Sequence, residues 1–208
     1  MQGVYSSYIR PGNLEVYCGP MFSFKTQRLI DRVRPIQHIP KADFICIRPK
    51  IDVRGSEIRQ DPLDFAKWYF VDETKSGEIY KLVKKEHKVI AIDEIQFFDK
   101  GILLELETLL RKGKNIAVAG FDLDFKGEPW EIMSLLLPKA NFIDKKAAIC
   151  AYPFCGRDAT RTQRLIKRAP APYDSPLVML EGTKNIDYEP RCILIILCQE
   201  NQNLSKIL

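Results

Sequence analysis

Short unbroken apolar runs alternate along this chain with stretches in which apolar residues recur every third or fourth position. Val89–Ile92 and Ile116–Gly120 are such unbroken runs, and Leu14–Cys18 and Ala42–Ile47 are interrupted once each, by Glu15 and Asp43; all four have the length of strands covered on both faces. Between them, Thr26–Val33 carries Leu29, Ile30 and Val33 at helical spacing, and Pro35 ends it. Asp61–Glu86 mixes charge with Trp68, Tyr69, Ile79, Leu82 and Val83, which predicts one or two helices broken near Gly77. Ile102–Leu110 is a further amphipathic helix, ended by the basic, glycine-containing RKGKN. Strand and helix in alternation predict an α/β fold, a parallel sheet with crossover helices. From Cys150 the pattern dissolves, and Arg157–Pro176 reads as a long loop rich in proline, threonine and basic residues. Two parts are therefore expected, residues 1–147 as the α/β domain and 148–208 as a small appended subdomain.

Two strand ends carry candidate chemistry. Leu14–Cys18 runs into Gly19, Pro20, Met21, Phe22, Ser23 and Phe24, followed by Lys25 and Thr26. That order is similar to a phosphate-binding loop, in which backbone N–H groups cradle phosphates, the lysine reaches the terminal ones and the hydroxyl ligates magnesium. The pattern wants glycine before the lysine, where backbone approaches phosphate closely, and this chain has Phe24. Val89–Ile92 ends in Asp93 and Glu94, an acidic pair at the tip of a buried strand, as in a Walker B element that holds magnesium or its water. Neighbouring carboxylates on extended chain point opposite ways, so one can serve metal and the other act as a base. Asp52 and Arg54 lie in a charged loop after the second strand, on the side where open α/β sheets bind ligands. Phe121, Phe125 and Trp130 follow Ile116–Gly120, either lining a flat slot or completing the core.

Composition narrows the class. Apolar residues make up 46% and charged residues 28%, as in a soluble globular protein. Lys and Arg total 32 against 27 acidic residues, a net charge of +5 that suits a nucleotide, with no basic, aromatic-studded stripe to suggest nucleic acid. MQGVYSSYIR lacks a signal peptide's apolar core, and ILIIL falls far short of the roughly 20 residues of a membrane span. A cytoplasmic protein without membrane association is expected. In that compartment the six cysteines are free thiols or metal ligands. The pairs Cys150/Cys155 and Cys192/Cys198 are either a zinc ribbon with widened spacing or independent buried thiols.

Taken in order, GPMFSFKTQRLIDRV, IDVR, AIDEIQFFD, AGFDLDFKGEPW, AICAYPFCGRDATRTQRLI and DYEPRC resemble the cytosolic, zinc-containing thymidine kinase family across roughly residues 13–192. The resemblance implies a P-loop α/β domain with a zinc-bearing lasso subdomain. It implies transfer of the γ-phosphate of ATP to the 5′-hydroxyl of thymidine or deoxyuridine, for nucleotide salvage and DNA synthesis. A homotetramer inhibited by thymidine triphosphate is implied too. Glu94 matches the catalytic base. Asp93 and Thr26 would serve Mg2+, with Asp52 close by and Gln96 beside them, while Lys25 and Arg54 would offset charge on the transferring phosphoryl group. Residues 19–24 would wrap the ATP phosphates. Met21, Phe97, Phe121 and Phe125 match positions around the thymine ring. Thr162, Tyr188 and backbone from Val178 to Gly182 would close over it, with backbone hydrogen bonds separating thymine from cytosine. Structural Zn2+ would sit on Cys150, Cys155, Cys192 and Cys198.

Departures from the family accompany the match. Phe24 stands for the loop glycine, two extra residues separate Cys150 from Cys155, and Ile195 occupies the fourth metal ligand's usual place. The tail after Cys192, ILIILCQENQNLSKIL, is unlike the family's polar, histidine-containing one. Phe24 motivates a competing expectation, a catalytically inactive nucleotide-binding relative with a regulatory or assembly role.

Overall fold

The computed structural model describes residues 8–52, 68–179 and 185–196. Two compact units emerge. One comprises the chain up to Cys18 together with Lys25–Gly120 and Glu131–Lys145; the other comprises Gly19–Phe24, Phe121–Trp130 and the chain from Lys146 onward.

The first unit is built on a six-stranded parallel sheet. Its strands are β1 (Leu14–Cys18), β2 (Asp43–Pro49), β3 (Trp68–Val71), β4 (His87–Ile92), β5 (Asn115–Gly120) and β6 (Phe142–Lys145). They lie in the order β3-β2-β4-β5-β1-β6, with every pairing parallel. All residues of β1 and β5 are buried, as are the last four of β4, which explains why their sequences are apolar except at Glu15 and Asn115. Helix α1 (Lys25–Val33) buries Leu29, Ile30 and Val33, and a 3-10 turn containing Pro35 follows it. Leu29 and Val33 join Tyr17, Cys46, Val89, Ala91, Ala117 and Ala119 in one apolar cluster, where small alanines let a helix approach the sheet. Helix α3 (Gly101–Arg111) buries Ile102, Leu106 and Leu109, one stripe at helical spacing. Short helices α2 (Glu78–Leu82) and α4 (Glu131–Leu136) complete the layer elements.

One polar staple ties α1 to the sheet. Arg32 grips Glu15 through Nε at 2.6 Å and Nη2 at 2.8 Å, and Nη2 also reaches Asn115 Oδ1 at 2.9 Å. Asn115 Nδ2 donates back to Glu15 at 3.0 Å. Burial pushes the Glu15 carboxyl up, but Arg32 and Asn115 outweigh it and hold the group below its ordinary value.

The second unit is mostly antiparallel. Strands β9 (Arg161–Ile166), β10 (Ala169–Pro170) and β11 (Ile186–Arg191) form one sheet, and β7 (Ala148–Ile149) pairs with β8 (Asp158–Ala159). Two expectations change here. Residues 68–71 form an edge strand rather than helix, since WYFV is aromatic and β-branched; of the predicted helical stretch only 78–82 is helical, and 61–67 lie outside the described residues. Arg157–Pro176 is not a long loop either. Its polar residues Thr162, Gln163 and Arg164 are buried at 6%, 2% and 2% exposure within β9. A strand whose buried side chains are polar lacks the apolar signature of the others.

Among the described residues no helix is long and apolar enough to cross a membrane.

Candidate active site

At the C-terminal tips of the first unit's strands, β1 ends where the loop begins and β4 ends in the acidic pair. Thr26, in the first turn of α1, donates through Oγ1 to Asp93 Oδ2 at 2.9 Å. The same oxygen accepts from Arg48 Nε at 3.2 Å and Nη2 at 3.0 Å, and Arg48 lies 4.1 Å from the Trp68 ring centroid. Asp93 is 2% exposed, its other oxygen accepts from the Glu94 amide at 3.1 Å, and its own amide donates to Ile47 O at 2.9 Å. Four connections thus fix one carboxylate at the junction of β2, β4 and α1. Lys25 and Asp52 are buried in the same unit, Asp52 in the turn that closes with its amide on Pro49 O at 3.1 Å.

Glu94 breaks the extended chain. With φ 51° and ψ 42° it sits in the left-handed region, a conformation costing an L-residue about 1–2 kcal/mol. That turn starts the 3-10 segment Ile95–Phe97. Gln96 Nε2 donates to Glu94 Oε2 at 2.5 Å, and both residues are buried. Gly120, at the end of β5, makes room for this: a Cβ there would lie 2.5 Å from Gln96 Oε1 and 2.9 Å from an Ile95 methyl. Phe97 is half-buried at the end of the same turn.

The loop 19–24 belongs to the second unit. Gly19 has φ 144°, and a Cβ on it would strike Lys146 O at 2.2 Å, so no other residue fits. Ser23 Oγ donates to Pro20 O at 2.8 Å across the turn. Phe22 and Phe24 have φ 61° and 60°, and left-handed residues at alternate positions are the backbone ingredient of anion-binding nests. Phe24 keeps the positive φ that glycine would supply, and its ring is 75% exposed instead of filling the loop.

A second cluster gathers on one face of β9 and β11. Met21 N donates to Thr162 Oγ1 at 3.0 Å. Arg164, two residues on, lies opposite Tyr188 in the register and stacks 3.8 Å from the Phe125 ring centroid. The Phe125 loop is itself tied by Asp124, whose Oδ1 accepts from Lys126 N at 2.8 Å and Glu128 N at 2.9 Å; burial raises this carboxyl above its ordinary value. Met21, Phe125, Thr162 and Tyr188 are brought together in this unit, with Phe121 half-buried at the loop's start and Val178 37% exposed. Arg54, Gly182 and Cys198 lie outside the described residues.

In the second unit, the sulfurs of Cys150, Cys155 and Cys192 all lie within 4.8 Å of one another, and Cys155 Sγ is 3.8 Å from Cys192 Sγ. Tetrahedral zinc with bonds of about 2.3 Å sets its sulfurs about 3.8 Å apart, so the three thiols fit zinc. Burial pushes the Cys150 thiol up, but the backbone N–H groups of Cys192 and Tyr152 and the neighbouring sulfurs draw it below the ordinary thiol value. Ile195 packs on this cluster as an apolar neighbour.

Sequence reasoning missed two residues with central places. Arg48 directly follows the buried run of β2, at a strand tip, which was the available signal; a lone arginine there reads as surface. Arg164 lies within ATRTQRLI, where alternation of threonine with longer polar residues marks a strand only once burial is known.

A strand opening into a glycine turn, and a helix whose first hydroxyl bonds the acid at the tip of a strand one place removed, define an α/β protein of phosphate-loop type. Among solved structures, the flagellar accessory protein FlaH from Methanocaldococcus jannaschii aligns at 14% identity and a TM-score of 0.44, covering 72% of this chain and 76% of that one. The family model described as Thymidine kinase matches residues 12–194, and the chain belongs to the thymidine kinase family.

Proposed function

We propose that this chain transfers the γ-phosphate of ATP to the 5′-hydroxyl of thymidine or deoxyuridine, yielding the 5′-monophosphate. The observation that carries the reading is the bond from Thr26 to Asp93 with Glu94 turned aside next to it. Two adjacent carboxylates are thereby given separate environments, one gathered with a hydroxyl and a guanidinium, the other bonded to an amide side chain. Thr26 and Asp93, with Asp52, offer the hard oxygen donors that Mg2+ takes. Magnesium, when bound with the nucleotide, would neutralise charge on the phosphates.

The protein's part follows from the chemistry of phosphoryl transfer, which asks mainly for position and charge. The loop from Gly19 to Phe24, through the N–H groups it carries at positions other than Pro20 and Met21, would hold the phosphates together with Lys25 and Arg54. Glu94 would accept the proton of the 5′-hydroxyl, its carboxylate oriented by Gln96. Met21, Phe97, Phe121 and Phe125 would contact the base, and Thr162, Tyr188 and the backbone from Val178 to Gly182 would enclose it. Cys150, Cys155 and Cys192, with Cys198 as the fourth thiol, would hold a structural zinc. A cytoplasmic homotetramer inhibited by thymidine triphosphate is part of the same proposal, supported by family membership alone.

The test is production of thymidine monophosphate from thymidine and ATP by the purified chain, beside Glu94→Gln. Loss of a general base costs about 10²–10⁴-fold in kcat. A variant as fast as the parent removes Glu94 from the role. The inactive-relative reading rests on Phe24, whose outward ring and retained left-handed backbone speak against it.

A further inference from the structure

Arg164 is 2% exposed, yet its guanidinium is engaged by several partners. Nη1 and Nη2 donate at 2.5 Å to the successive carbonyls of Pro176 and Leu177. Nε donates to the Tyr188 hydroxyl at 2.8 Å, and that hydroxyl donates on to Met179 O at 2.6 Å. The guanidinium plane meanwhile covers the Phe125 ring. Residues 176–179 belong to no strand or helix, and three of their carbonyls are held by these two side chains. Leu177 and Val178 remain 44% and 37% exposed, presenting apolar surface from a segment whose backbone carbonyls are held by these side chains.

Resting on the function proposed above, we infer that Arg164 is a positioning residue for the nucleoside. It fastens segment 176–179 and the Phe125 ring in one arrangement, so that the base meets a surface already set. A guanidinium suits this because one rigid plane offers parallel donors on one edge, a third donor beside them and a face for the ring; a lysine ammonium has no such plane. Burying a guanidinium is unfavourable unless its donors are matched, and the match here is to the carbonyls of a single segment.

The test uses the full chain carrying Arg164→Lys, with Tyr188→Phe as a milder change that removes the hydroxyl and keeps the ring. Two readouts are needed: steady-state kinetics with thymidine and ATP varied separately, and amide hydrogen exchange over 176–179. Arg164→Lys should raise KM for thymidine about tenfold or more, with kcat and KM for ATP within about threefold, and speed exchange in the segment. Tyr188→Phe should move the same two quantities less. An unchanged thymidine KM overturns the inference, as does equal loss of kcat and ATP affinity, which would mark a merely structural residue. If Arg164→Lys fails to fold, amide exchange over 176–179 in Tyr188→Phe decides: faster exchange supports the fastening and unaltered protection overturns it. Should the parent chain transfer nothing to thymidine, the proposed function fails by itself. Exchange then judges the fastening alone, and unaltered protection at 176–179 refutes it.

Discussion

Replacing Phe24 by glycine, and separately by alanine, separates a backbone effect from a side-chain effect at the one loop position that departs from the phosphate-loop pattern. The ring is 75% exposed, so removing it sacrifices little burial. The backbone has φ 60°, a conformation that costs any L-residue about 1–2 kcal/mol and glycine nothing. Against that gain, glycine enlarges the unfolded ensemble, at a cost of about 0.4–1 kcal/mol. Phe24→Gly should therefore stabilise the chain by roughly 0–1.6 kcal/mol, about 0.8 at the midpoints of these two effects. Phe24→Ala keeps the strain and should stay within about 0.5 kcal/mol of the parent. Urea unfolding followed by circular dichroism, with equal m-values, measures both. A glycine protein less stable than the alanine one would refute the left-handed assignment; an alanine protein weakened by more than about 1.5 kcal/mol would mean that the ring packs. Calorimetric titration with ATP completes the experiment. Because the ring points outward, the glycine variant's Kd should differ from the parent's by less than about tenfold. A parent that binds no ATP beside a glycine variant that does would establish the inactive relative instead.

Three further outcomes are expected. Arg48→Met leaves Asp93 held by Thr26 and the Glu94 amide alone, and should cost about 10–100-fold in magnesium affinity or in kcat/KM, read from a magnesium titration of phosphate transfer; an unchanged titration would exclude Arg48 from the site. Glu15→Gln strands Arg32 in a buried place and should destabilise by about 3 kcal/mol at neutral pH. Since the folded pKa of Glu15 is below its ordinary 4.5, the unfolded chain binds the proton more tightly; the stabilisation is complete above 4.5 and fades as pH falls through the folded value, so parent and variant should converge in acid. Cys192→Ser should lower zinc content, measured by elemental analysis, and the thermal midpoint together; full zinc retention would dismiss the three-thiol site.

The sequence was most readable where burial is apolar. VIAI and IAVAG could hardly be anything but covered strands, and the acids after VIAI stand at a strand tip by counting alone. Reading failed where burial is polar. TRTQRLI hides a strand because threonine, glutamine and arginine satisfy one another's neighbours inside, and hydrophobicity does not register satisfied hydrogen bonds. Trp68–Val71 was missed for another reason: an edge strand with two exposed central residues has no periodic face to count. Arg48 shows a third limit, since its importance lies in a partner 45 positions away.

Gly120 contributes no functional group, yet the chain's chemistry is constrained by the hydrogen where its side chain would be. Even one methyl there would collide with the amide oxygen of Gln96 and a methyl of Ile95, displacing the side chain that donates to the Glu94 carboxylate. If the proposed function holds, adaptation to new acceptors has a fixed floor beneath it: variation can explore the loops proposed to receive the nucleoside, while the end of β5 must stay bare.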